Sequence, residues 1–134
     1  MDKKRIHIAA GIILNPDYSQ IFITQRPAKA HKGGFWEFAG GQVEHGETAE
    51  QAVIRELEEE VGITATVVEA FMSMTHDYPD KALTFDFFLI KAFDGVPYGK
   101  EGQPGQWVEI LALSGFEFPE ANSPVLAKIQ EMFA

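Results

Sequence analysis

Cysteine is absent from these 134 residues. Its absence excludes disulfides, thiolate nucleophiles and cysteine-built zinc sites, and fits a reducing cytoplasm. Positive charge is scarce: 11 Lys and Arg face 20 Asp and Glu, a formal net charge of −9. Gripping a nucleic-acid backbone takes clustered Lys and Arg, so no nucleic-acid polymer is expected as a partner. No apolar run approaches the about 20 residues that cross a bilayer, so no membrane is expected either. The basic start, Met1-Asp2-Lys3-Lys4-Arg5, precedes an apolar stretch as a secretion leader would. That stretch contains His7 and meets Asn15-Pro16-Asp17-Tyr18 with no small-residue cleavage site, so it reads as a first strand. Internal repeats, low-complexity tracts and interdomain linkers are missing too. Residues 1–134 read as a single monomeric domain long enough to bury a substantial core.

What is present is concentrated in residues 41–63, Gly-Gln-Val-Glu-His-Gly-Glu-Thr-Ala-Glu-Gln-Ala-Val-Ile-Arg-Glu-Leu-Glu-Glu-Glu-Val-Gly-Ile. Thr48 is suited to cap a helix, and Gln51 three residues on completes a capping box. Gly62 suits the left-handed residue that ends one, with Ile63 placed for the contact behind it. The spacing predicts a helix over about residues 48–61. At roughly 100° per residue, Val53, Ile54, Leu57 and Val61 fall on a core face. Glu56, Glu59 and Glu60 fall on a neighbouring arc, with Ala49 and Ala52 keeping the surface beside them low. Like charges at i, i+3 and i+4 repel, so stability does not favour them. A hard divalent cation removes the conflict, since Mg²⁺ binds through carboxylate oxygens and the phosphates of a substrate. It also reconciles an acidic chain with an anionic ligand: the cation carries the phosphates.

Around this helix the pattern is mostly strand. Residues 4–14 are apolar on both faces, as in a buried strand. Asn15-Pro16-Asp17 marks a turn, and 20–25 a second strand. Residues 27–34 form a loop with Lys29, His31 and Lys32, just after Arg26. Two β-type runs, 65–76 and 82–93, flank Tyr78-Pro79-Asp80 and suggest a hairpin. Residues 94–105 hold four glycines and two prolines and read as a long surface loop of the kind that often carries function. A short strand follows at 106–111. Ser123 is placed to cap a last helix with Pro124 at its first position and an apolar stripe of Val125, Leu126, Ile129 and Phe133. Two helices among strands without βαβ alternation predict an α/β domain with a mixed sheet. His7, His45 and His76 show no zinc spacing, and Trp36, Phe38 and Phe85 read as core aromatics.

Gly41, Glu47, Arg55, Glu56, Leu57, Glu59, Glu60, Gly62 and Ile63 fill every fixed position of a Nudix box, so the chain resembles the Nudix hydrolases. The likeness extends to Gly11-Ile12-Ile13, the run Ile21-Phe22-Ile23-Thr24-Gln25-Arg26, Trp36-Glu37-Phe38, the stretch Gly99-Lys100-Glu101-Gly102-Gln103-Pro104-Gly105, and Phe118-Pro119-Glu120-Ala121-Asn122. There it is similar to the MutT-type 8-oxo-dGTP diphosphatases. Ala39 is a departure, standing where that type often has proline.

The resemblance implies an α/β/α sandwich and a Mg²⁺-dependent hydrolase, with Mn²⁺ able to substitute. It implies metal ligation by Glu56, Glu59, Glu60, Glu101 and the Gly40 carbonyl, with Glu56 the favoured general base and Glu101 a further catalytic carboxylate. Glu47 and Arg55 are expected to pair and hold the loop on the helix. Arg26, as a phosphate clamp, joins His31, Phe38, Tyr78 and Asn122 in the expected substrate-binding set. For Asn122 a chemical argument supports the match. Normal guanine offers two acceptors at O6 and N7, whereas 8-oxoguanine offers O6 as acceptor and N7–H as donor. An asparagine amide has one of each and complements only the oxidised edge. The expected activity is hydrolysis of 8-oxo-dGTP to 8-oxo-dGMP and pyrophosphate in the cytoplasm, cleansing the nucleotide pool and preventing mutation. Two alternatives are a Nudix pyrophosphohydrolase for a pyrimidine or methylated nucleoside triphosphate, and a non-catalytic module that recognises an oxidised base. The intact carboxylate arc argues against the last.

Overall fold

A computed structural model describes residues 5–27 and 33–133. Strands β1 (Arg5–Leu14), β2 (Gln20–Gln25), β3 (Trp36–Glu37) and β4 (Gly40–Gln42) lead to helix α1 (Ala49–Val61). Strands β5 (Thr64–Tyr78), β6 (Lys81–Asp94) and β7 (Gly105–Glu109) follow. Two 3₁₀ segments, Ile110–Gly115 and Glu120–Asn122, then lead to helix α2 (Ser123–Phe133). The sheet runs β3-β2-β1-β6-β5, with β4 also on β1 and β7 also on β2. β1 and β6 are parallel and the other pairs antiparallel, which makes the sheet mixed.

The unbroken apolar run of β1 is explained by a helix on each face of the sheet. Ala9 and Ile13 pack with Val53, Leu57 and Val61 of α1. Ala10, Ile12 and Leu14 pack with Val125 and Ile129 of α2. Side chains alternate along a strand, so odd positions serve one layer and even positions the other. The result is an α/β/α sandwich.

β1 takes two different partners on one edge. Ile13 and Leu14 pair with Phe22 and Ile21 of β2, while Ile8, Ala9 and Ala10 pair with Gln42, Gly41 and Gly40 of β4. The chain passes from β3, on the far edge of β2, to β4 at Phe38 and Ala39, and the Gly11 N–H donates to the Ala39 carbonyl at 2.8 Å. The edge therefore forks, and the functional residues gather around the fork.

Three local expectations change. The strand after the long loop ends at Glu109, because the chain turns into 3₁₀ at Ile110, whose N–H donates to the Ser19 carbonyl. Ser123 does not cap α2: its backbone is already helical (φ −54°, ψ −45°) because the 3₁₀ turn Glu120–Asn122 runs straight into the helix. Pro119 is the extended residue ahead of that turn. Ala52 is fully buried in the α1-side core rather than open beside the glutamates, while Ile54 is only half-buried.

Candidate active site

α1 is closed at both ends by its own sequence. The Thr48 hydroxyl accepts from the Gln51 N–H at 3.1 Å, and the Gln51 side chain accepts from the Thr48 N–H at 2.9 Å. Gly62 adopts the left-handed conformation (φ 72°) and its N–H donates to the Leu57 carbonyl. The helix thus presents Glu56, Glu59 and Glu60 from a fixed frame.

Arg55 straps the preceding loop to that frame. Its Nε and Nη2 donate to the two oxygens of Glu47 at 2.8 and 3.0 Å, and Nη2 also reaches the Gln42 carbonyl at 3.1 Å. Nη1 donates to Glu56 at 2.8 Å and reaches Glu59 at 3.4 Å. A bidentate guanidinium–carboxylate pair fixes orientation as well as distance. Glu47 is drawn down from 4.5 to about 2, chiefly by the Arg55 hydrogen bonds, and Arg55 is pushed above its ordinary value by Glu47.

β4 lies directly against these carboxylates, and its glycines allow the approach. A Cβ on Gly41 would stand 2.4 Å from Glu56 Cδ and 2.6 Å from both Glu56 oxygens. The Gly40 N–H donates to Glu60 Oε2 at 3.0 Å. Burial pushes the Glu60 carboxyl up to about 8, the Gly40 N–H pulls the other way, and Glu56, Glu37 and Glu101 add like-charge repulsion. Burial raises Glu56 as well, against the pull of Arg55. Among the described residues no three acidic or imidazole groups are arranged to hold a metal ion by themselves. A Mg²⁺-type site needs none, since one or two carboxylates with water and substrate phosphates complete it. The hard oxygen donors and the mutual repulsion at Glu60 fit such a cation.

Glu101 reaches this neighbourhood from the loop between β6 and β7. It lines a recess with Glu60, Glu37, Thr24 and Gln103. The loop is docked on the end of α1: the N–H groups of Tyr98 and Lys100 donate to the carbonyls of Val61 and Glu60 at 3.1 and 3.0 Å.

On the other side of β4 is a cleft of about 240 Å³. Arg26, Phe38, Tyr78 and Asn122 line it together with Gly40 and Gly41. Its floor is Ile6, Ile8, Leu83, Phe85 and Phe87, the even-numbered side of β1 and its neighbours on β6 where α2 does not reach. The Arg26 guanidinium is held by Glu37 at 2.8 Å. Burial raises the Glu37 carboxyl, and Arg26 lowers it. The Tyr78 hydroxyl is raised by burial and by Glu120, with Arg26 opposing. Phe38 is nearly buried and meets Phe87 edge-on, so it is a core aromatic that also forms a wall of the cleft. His31 lies outside the described residues.

The structure thus gathers Gly40, Glu47, Arg55, Glu56, Glu60 and Glu101 around the carboxylate side, and Arg26, Phe38, Tyr78 and Asn122 around the cleft. Glu59 is more exposed and turned toward Arg55. Sequence reasoning missed Glu37, which lines both the cleft and the recess, and Lys81, which lines the cleft. An acid between two aromatics was the available signal for Glu37; Lys81 had none. Phe85, read as core, is a partly exposed floor residue stacked on Phe87. Ala39 turns away from the cleft into the α1-side core.

A family model described as a NUDIX domain matches residues 9–128. The 8-oxo-dGTP diphosphatase of Escherichia coli (strain K12) is 47% identical over 129 residues, covering 96% of this chain and 99% of that one. The 8-oxo-dGTP diphosphatase of Haemophilus influenzae is 46% identical, covering 96% and 94% respectively. A solved MutT structure, from a study of the proteins of Aliivibrio salmonicida and Vibrio cholerae, is 58% identical with a TM-score of 0.87, covering 97% of this chain and 100% of that one.

Proposed function

The chain belongs to the Nudix family, and from that premise we propose that it hydrolyses 8-oxo-dGTP to 8-oxo-dGMP and pyrophosphate, removing a mutagenic nucleotide from the cytoplasmic pool. The observation that carries the reading is the place of β4. A cleft of about 240 Å³ containing Asn122 lies on one side, and Glu56 and Glu60 press against the other. A base in the cleft puts its phosphates next to the carboxylates.

Glu56, Glu59, Glu60, Glu101 and the Gly40 carbonyl are the groups that would hold Mg²⁺, or Mn²⁺ in its place. The ion, when bound, neutralises the triphosphate and stabilises charge developing on the phosphoryl oxygens. Arg55 holds one Glu56 oxygen at 2.8 Å; the other has two lone pairs, one for the cation and one for the proton of the attacking water. The water oxygen bonds to phosphorus as the anhydride P–O bond breaks and pyrophosphate leaves. The Glu47 pairing keeps Arg55, and so Glu56, in place, a supporting role of the kind that matters for a metal site. Arg26, held by Glu37, faces the phosphates, and His31, outside the described residues, is assigned to the substrate on the resemblance alone. Phe38 and Tyr78 flank the base. Asn122 donates to O6 and accepts from N7–H, a pairing normal guanine cannot match. The protein works as a monomer on a free nucleotide.

The test is kcat/KM for 8-oxo-dGTP, dGTP and a set of pyrimidine triphosphates, with product identification. A strong preference for 8-oxo-dGTP with release of pyrophosphate is expected. Faster turnover of a pyrimidine triphosphate would replace this substrate with another, and no turnover of any nucleotide with Mg²⁺ or Mn²⁺ would leave a recognition module.

A further inference from the structure

We propose that Gln103 is a positioning residue that fixes Glu101 against the last turn of α1, and so sets the spacing between the loop carboxylate and those of the helix. The proposal rests on the assignment of Glu101, Glu56 and Glu60 to the cation site.

One amide does two jobs at once. Gln103 Oε1 accepts from the Glu101 N–H at 2.9 Å, and Gln103 Nε2 donates to the Glu60 carbonyl at 3.1 Å. Its side chain thus hydrogen-bonds both Glu101 and α1. The loop is shaped to allow this. A Cβ on Gly99 would stand 1.7 Å from the Gln103 carbonyl oxygen, so the turn closes only over glycine. Gly102 sits at φ 88° and its N–H closes back on the Gly99 carbonyl at 3.0 Å. At the far end the Gln25 N–H holds the Pro104 carbonyl at 3.0 Å. The exposed tip is residues 100–102; the backbone N–H groups of Lys100 and Gly102 are held by Glu60 and Gly99, and Gln103 holds that of Glu101.

A plain helix-capping role is a weaker account. The Glu60 carbonyl already takes the Lys100 N–H at 3.0 Å, so an end-of-helix acceptor stays satisfied without Gln103. The Glu101 N–H has no such second partner among the described residues.

The experiment uses Gln103→Met, Glu101→Gln and the double variant. The readouts are Mn²⁺ affinity of the nucleotide-free protein by electron paramagnetic resonance, hydrogen exchange at the Glu101 amide, and kcat at saturating metal. In the wild type the Glu101 amide is protected from exchange; an unprotected amide overturns the proposal whatever the variants do. Gln103→Met is expected to remove that protection and to weaken Mn²⁺ affinity roughly 10-fold, the low end of the loss typical for a residue supporting a metal ligand. The double variant should bind Mn²⁺ no more weakly than Glu101→Gln alone, because Gln103 acts through Glu101. Full affinity in Gln103→Met, or losses that multiply in the double variant, overturns the proposal while leaving the site assignment intact. Full affinity and rate in Glu101→Gln overturns the assignment of Glu101, and the proposal with it.

Discussion

Adding one carbon to Gly41 should slow the enzyme sharply without destabilising it, while the same carbon on Gly40 should destabilise the fold. Neither glycine has a positive φ, so alanine's backbone preferences are not at issue and only space decides. At Gly41 the new Cβ meets Glu56 Cδ at 2.4 Å. Ordinary contact begins at 3.4 Å, so the carboxylate has to retreat by about 1 Å. It is the end of a flexible side chain and can do so by giving up the 2.8 Å bond to Arg55. A displacement of this size at a reacting group can cost on the order of 10²-fold in rate. At Gly40 the new Cβ meets the Ala9 carbonyl oxygen at 2.1 Å and Ala10 Cα at 2.6 Å. Those are backbone atoms of the β1–β4 ladder, so relief means breaking strand pairing. Overpacking typically costs about 1–3 kcal/mol, and each kcal/mol lowers Tm by roughly 3–6 °C in a domain of this size. The assay is kcat at saturating Mg²⁺ alongside a thermal melt for each variant. A Gly41→Ala protein with wild-type kcat, or one that loses as much Tm as Gly40→Ala, would refute the close packing of β4 on Glu56.

Glu56→Gln should lower kcat by about 10²- to 10⁴-fold, the usual worth of a general base, with full activity in excess chelator counting against any metal-assisted route. Asn122→Ala should reduce the ratio of kcat/KM for 8-oxo-dGTP over dGTP by about one to two orders of magnitude, since about 1–3 kcal/mol follows from each hydrogen-bonding group left unpaired; an equal loss for both nucleotides would make Asn122 structural. The Glu47 carboxyl, followed by carbon-13 NMR, should titrate at about pH 2 rather than at its ordinary 4.5. Its pKa is depressed in the folded state, so the pairing with Arg55 contributes fully above pH 4.5 and is lost as pH falls toward 2. In Arg55→Gln the midpoint should return toward 4.5, and an unchanged midpoint would show that the pairing is not its cause.

Periodicity and end signals made much of this protein legible before any fold was known. The box helix, its Thr48–Gln51 cap and its Gly62 stop are local, set by hydrogen bonds between near neighbours in the chain, so they survive in sequence. The double-faced apolar run of β1 and the turn at Pro79 and Asp80 are local too. The carboxylate arc of Glu56, Glu59 and Glu60 follows from helical geometry alone. What the tertiary structure decided is which distant residues meet. β3 and β4 are two and three residues long; they have no periodicity to read and exist only because β2 and β1 offer them an edge. Ser123 carries a good cap residue's chemistry, yet a preceding turn had already made the chain helical there. Ala52 looked like a low surface and proved to be core, because α1 buries that side against the sheet. Glu37 beside Arg26 and Gln103 on Glu60 are joined across more than ten and forty residues of chain, and Lys81 shares its cleft with residues of β1, β4 and the turn before α2. Such contacts arise from the fork at β1 and the docking of a loop on a helix end, and no pattern within a short window encodes them.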